Sequence, residues 1–223
     1  MRTMRSMLFK ALLIMSLFLM IQPSLLFSSD QAPPPAVANA AEQGVRIFVK
    51  DPQARNLNLY GLSDKEQADK AVLGQGFQVF SIPPDLLFSR ESSQDTDVPA
   101  VSTNTWQFLI VTGGKAASLL TVNFFNGQWT PVSIGASGLA VEVAALLEAW
   151  PSSAGYRCKL IKVYQAKSDF MEILQGERSL GIVPFTSCRI AMGLEDRDFN
   201  PSDLRDSREI LSKLRPVVKT NVQ

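Results

Sequence analysis

The chain has 223 residues, 46% of them hydrophobic and 19% charged, with a formal net charge of +1. This is an ordinary globular composition, and the length is enough for one domain with a core that needs neither metal nor several disulfides. There is no histidine, which excludes a Ser-His-Asp triad, a Cys-His dyad and histidine-ligated zinc, copper or haem, while two cysteines are too few for a four-thiolate site.

Arg2, Arg5 and Lys10 give a basic start, and Ala11 to Ile21 is an apolar run that resumes at Leu25, Leu26 and Phe27 after Gln22-Pro23. A positive flank, a short apolar core and then small residues is the order of a secretory signal. Ala36-Val37-Ala38 and Ala38-Asn39-Ala40 both meet the small-x-small requirement for cleavage. An uncut anchor over 11–27 is the alternative, at the lower length limit for a membrane span and broken by Pro23. Residues 1–40 are therefore expected to be a signal and a proline-rich linker, and 41–223 a single exported domain, periplasmic or extracellular. A cut after Ala40 removes Arg2, Arg5, Lys10 and Asp30 and leaves a nearly neutral chain. Such a chain has no electrostatic footprint for nucleic acid, and no membrane contact is expected after cleavage.

Val45 to Lys50 (VRIFVK) reads as a strand ended by Asp51-Pro52. Ser63 with Glu66 is a capping box that predicts a helix from about Asp64 to Leu73, stopped by Gly74 and Gly76. Phe77 to Ile82 alternates like a half-buried strand, and 91–104 is a polar surface loop. Trp106–Thr112, Ser118–Phe125 and Gln128–Ile134 form a meander turned at Gly113-Gly114 and at Asn126-Gly127. The second turn has the two positive-φ positions of a type I′ hairpin. Ser137 is placed to cap a helix carrying Leu139, Val143, Leu146, Leu147 and Trp150 on one face, with Glu142 and Glu148 off it. Cys158–Gln165, Asp169–Leu174 and Leu180–Val183 form a second meander, followed by a short helix at Thr186–Met192 that Gly193 closes. A last helix is predicted from Asn200-Pro201 to about Arg215, before Pro216. The fold class is α+β: a mainly antiparallel sheet from two meanders, a helix between them on one face and a C-terminal helix.

No complete catalytic motif, metal site or cofactor site is present. Gly135-Ala136-Ser137-Gly138 lacks the second glycine of a nucleophile elbow and the Gly-Lys-Ser/Thr of a phosphate loop, so it reads as a strand-to-helix turn. Asp196, Asp198, Asn200 and Ser202 alternate like a calcium loop, but Pro201 and Ser207 replace its glycine and its bidentate glutamate. Cys158 and Cys188 are expected to form one disulfide, since two thiols in an oxidising compartment read first as a bridge. Trp106, Trp129 and Tyr164 are candidate ligand-groove residues. Lys159, Lys162 and Lys167, with Tyr156 and Tyr164, read as a charged strand face. The functional expectation is a non-catalytic binding domain for another envelope protein or for a small ligand in the sheet–helix crevice. Two alternatives stand beside it. One is a glycosidase-like hydrolase using Asp169 and Glu172, or Glu142 and Glu148, and the other is a structural envelope component.

Overall fold

Two three-stranded meanders flank one central strand in the computed structural model of the chain, which describes residues 32–51, 57–89, 98–194 and 198–222. The basic and apolar residues 2–27, Asp30, half of the expected loop (91–97) and Asp196 lie outside the described residues, and the end of that loop, 101–104, is strand and not loop. Residues 31–223 gather into one compact unit. Its elements are α1 (Pro35–Val45), α2 (Lys65–Lys70), β1 (Val72–Ser81), α3 (Pro84–Ser89), β2 (Val101–Thr112), β3 (Lys115–Phe125), β4 (Gln128–Gly135), α4 (Ser137–Ala149), β5 (Tyr156–Val163), β6 (Ser168–Gln175), β7 (Arg178–Pro184), α5 (Thr186–Ala191) and α6 (Ser207–Val222). The sheet order is β4-β3-β2-β1-β5-β6-β7, and every pairing is antiparallel except β1 with β5. The α+β class and the C-terminal helix are as the sequence predicts.

Tight turns build the β2–β3–β4 meander. Asn126 and Gly127 hold φ of 48° and 81° between the paired residues Phe125 and Gln128, as a type I′ turn requires. Gly113 and Gly114 do the same between Thr112 and Lys115. β1 then joins the two meanders: Phe77 pairs with Gln107 of β2, and Val79 with Leu160 of β5.

Alternation along the strands sorts the core into clusters on two sides. Phe77, Leu109, Leu119, Leu160 and Met171 face α4, which contributes Ala140, Val143 and Leu146. On the other side, Trp106, Phe108, Leu120 and Val122 pack under α1, while Ile161, Phe170 and Ile182 pack under α6. The two outer layers bury apolar helix stripes, which is what holds a short helix in water.

Four further local expectations differ from the structure. Residues 45–50 are helical: Arg46–Lys50 extend α1 by a π-helical turn. A strand would put Val45, Ile47 and Val49 on one side, but Val45 and Val49 are buried while Ile47 is 47% exposed. The stripe Val37, Ala40, Ala41, Val45 and Val49 follows helical spacing, and Gly44 lets it approach closely, since a Cβ there would lie 2.8 Å from Leu120 and Pro131. Both small-x-small positions therefore lie within α1. Helix α2 ends at Lys70, and Gly74 and Gly76 belong to β1. There is no room for a Cβ at Gly76, which would meet the Phe108 ring at 2.3 Å. Its cap is Asp64, whose carboxylate accepts from Gln67 N at 2.9 Å, while Gln67 Oε1 accepts from Ser63 N.

Helix α4 begins at Ser137, but the cap position is Ala136 in the left-handed region, with no side-chain cap bond. The last helix starts at Ser207 instead of 201. Before it, the chain is tied to the edge of β7 by Ile182 N to Arg205 O and Arg205 N to Ile182 O, at 2.9 and 2.8 Å. Pro216 lies inside α6. Buried Ile210, Leu211, Leu214 and Val218 anchor both of its flanks and offset the missing backbone bond.

Candidate functional site

A crevice of about 220 Å³ opens where the end of α4 meets the starts of β1 and β5. It is lined by Gln75, Leu147, Trp150, Pro151, Ser152, Tyr156 and Cys158, with no charged side chain among them. Its walls are fixed by their own contacts. Trp150 Nε1 donates to Pro201 O at 2.8 Å, and the Trp150 and Tyr156 rings meet edge to face, with centroids 5.0 Å apart at 88°. Cys158 Sγ approaches Trp150 O at 3.8 Å, and Gly155 (φ 84°) closes the short turn that leads into β5. Burial pushes the Cys158 thiol up to about 12, so at neutral pH it is a protonated wall atom and not a nucleophile.

The expected disulfide is not formed: Cys158 and Cys188 are both free thiols. Cys158 stands on the α4 side of the sheet, while Cys188 is buried in the cluster under α6. The layer of strands separates them, and its alternating faces are invisible in a count of two cysteines. Burial, with the Asp169 charge nearby, holds the Cys188 thiol up at about 12 as well.

The three candidate groove residues are not brought together. Trp106 is buried under α1, and Trp129 packs against the same cluster while touching Phe124 at 5.3 Å. Tyr164 is exposed in the β5–β6 connection of the other meander. Its phenol is raised by partial burial and by the Asp169 carboxylate.

Neither expected acid pair is assembled. Asp169 and Glu172 are three apart on β6 and so point to opposite sides of the sheet. Asp169 accepts from Lys162 Nζ at 2.6 Å and from Ser187 Oγ at 3.1 Å. Glu172, its side chain 4% exposed, pairs with Lys159 at 3.5 Å, and Lys159 also lies over the Phe80 ring at 4.5 Å. Glu142 accepts from Thr186 N at 3.0 Å and from Thr186 Oγ1, so it caps α5, while Glu148 is exposed. Of the calcium-like residues, Asn200 Oδ1 accepts from Ser202 N at 2.9 Å, which is a local turn, and Asp198 is exposed. Lys162 and Lys159, expected on one charged strand face, instead lie three apart on opposite sides, each bonded to an acid of β6.

On the β2–β3–β4 meander, register places Thr105, Asn123 and Thr130 in one cross-strand row, and Gln107, Thr121 and Ser133 in the next. Gln107 Nε2 donates to Thr121 Oγ1 at 3.3 Å. The buried oxygens Gln107 Oε1 and Asn123 Oδ1 have no hydrogen-bond partner among the described residues. Each such acceptor costs about 1–3 kcal/mol, so two together on one sheet face are a departure from ordinary folding economy.

The sequence pattern places Trp150 on a core face and Tyr156 among charged strand residues. The available signal was their position: an aromatic ends the helix, proline follows, and a second aromatic opens the next strand, which sets two rings around one turn. Compared with protein-family models, with curated proteins and with solved structures, the chain finds no match.

Proposed function

We propose that the chain is an exported, non-catalytic binding domain that takes a small uncharged ligand into the crevice between α4 and β5. The observation that carries this reading is the crevice wall itself: two crossed aromatic rings, of which Trp150 is bonded to Pro201 O, with Gln75 and Ser152 as uncharged polar groups beside them. Uncharged polar groups set beside fixed aromatic rings can orient a small molecule, and rigid walls reduce the ordering cost of binding. The volume suits a planar molecule of one or two rings. Export rests on the order of basic, apolar and small residues at the start of the sequence.

Indole and related neutral aromatic fragments are suitable probes, read by amide shifts at Gln75, Trp150, Tyr156 and Cys158. Binding with a Kd on the order of 0.1–1 mM is expected for ligands of this size. Ser152→Phe should fill the mouth and abolish it with little change in melting temperature. Failure of every neutral fragment to shift these residues, or shifts that survive Ser152→Phe, defeats the reading.

A further inference from the structure

Residues 98–141 contain one charged side chain, Lys115. Within that stretch, the side of β2, β3 and β4 that carries Gln107 and Thr121 is a ladder of hydroxyls and amides, and Phe125, 64% exposed, continues it two residues beyond Asn123. Gln107 is 8% exposed, yet its Oε1 has no partner among the described residues, and neither has Asn123 Oδ1. A buried acceptor left open in this way is satisfied when a donor-bearing molecule arrives.

We propose that this face is a second binding surface, independent of the crevice, and that its ligand is a neutral saccharide chain. Three observations select that class. The face has no charge to recognise a charged ligand. Its open groups are acceptors set among hydroxyls, which suits a ligand rich in O–H donors, and Phe125 offers an apolar ring beside them for the C–H face of a sugar. An extended peptide would instead add to the edge strand β4, where Pro131 withholds a ladder N–H. Neither open oxygen is accessible in the free protein, so binding turns the Gln107 or Asn123 amide outward about its broad terminal torsion.

The full chain is titrated separately with maltotetraose, cellotetraose and chitotetraose, each up to about 10 mM, while amide shifts are followed. At least one tetraose should shift Thr105, Gln107, Thr121, Asn123, Thr130 and Ser133. Phe125→Ala should weaken that response roughly tenfold. Gln107→Leu should weaken it also, with the melting temperature held or raised, because an unpaired buried group has been removed. Ser152→Phe should leave it unchanged, which separates this surface from the crevice. The proposal is overturned if no tetraose moves these amides, if the response survives Phe125→Ala unchanged, or if it is lost with Ser152→Phe.

Discussion

The two meanders have the same topology and opposite surface chemistry. β5–β6–β7 carries three ion pairs: Arg157 with Glu177 at 3.1 Å, Lys159 with Glu172 at 3.5 Å and Lys162 with Asp169 at 2.6 Å. Its outer edge at β7 is closed by the backbone pairing to Arg205, which packs so near Gly181 that a Cβ there would sit 2.5 Å from the Arg205 carbonyl. The β2–β3–β4 meander has hydroxyls, amides and exposed aromatics in place of ion pairs, and its edge strand β4 carries Pro131, against which Gly44 of α1 packs. Charged pairs and covered edges keep a sheet soluble and unattached. An uncharged face with unsatisfied acceptors does the opposite, because it leaves interactions for another molecule to complete. Each half keeps a buried polar atom without a partner among the described residues, Ser179 Oγ on β7 as well as the two amide oxygens, so what sets the halves apart is charge: one carries ion pairs and the other hydroxyls and amides.

The largest test of that comparison removes the cover of the uncharged half. A chain beginning at Ala41, as a cut after Ala40 would leave, lacks Val37 and Ala40 and the first turns of α1. Loss of those buried groups and of the helix start should cost about 3–5 kcal/mol relative to a chain beginning at Ala32. Thermal melts of the two would show it. Equal melting temperatures would mean that Trp106, Phe108 and Leu120 do not depend on α1, and that either small-x-small position is compatible with the folded domain.

The charged half has its own breaking point. Lys159→Met leaves Glu172 buried without its cation, at an expected cost of about 3 kcal/mol, because an uncompensated buried charge is worse than an apolar pair. The double variant Lys159→Met/Glu172→Leu should recover most of that loss. If the single variant melts like the parent, the pair does not hold this half together, and its charge marks a solvated face only.

Legibility in the sequence followed the range of the physics involved. Both meanders were visible as short apolar runs in close succession, and in the first one Asn126-Gly127 and Gly113-Gly114 carry their turn conformations with them. The short helix closed by Gly193 was visible for the same reason. What failed depended on contacts across the fold. Val45 to Val49 has β-branched residues in alternation, yet the apolar face of β2 and β3 draws it into a helix, the usual override of propensity by packing. Residues 201–206 carry good helix-start signals, yet they form a turn from which Arg205 pairs with β7. Cys158 and Cys188 could be counted but not placed on opposite sides of a sheet. The crevice joins Gln75 to Trp150 and Tyr156, and the polar ladder needs the exact register of three strands, so both sites were out of reach of local pattern.

The smallest expected effect separates the two halves by acid. Asp206 caps α6, accepting from Arg208 N at 2.8 Å and from Arg208 Nη2 at 2.7 Å. The Arg208 guanidinium, and after it the backbone N–H, hold its carboxyl down at about 2. The unfolded value is about 3.9, so the folded state binds the proton more weakly. The resulting stability is therefore present above about pH 4 and fades as the pH falls toward 2. Because this carboxylate is largely solvated, its contribution is expected to be well under 1 kcal/mol. Asp206→Asn keeps a cap acceptor and removes the charge, so its deficit should be small at pH 5 and gone near pH 2. Gln107→Leu, on the uncharged meander, should differ from the parent by the same amount at both pH values. A deficit for Asp206→Asn that persists unchanged to pH 2 would assign the effect to cap geometry, and acid would then no longer distinguish the two meanders at this position.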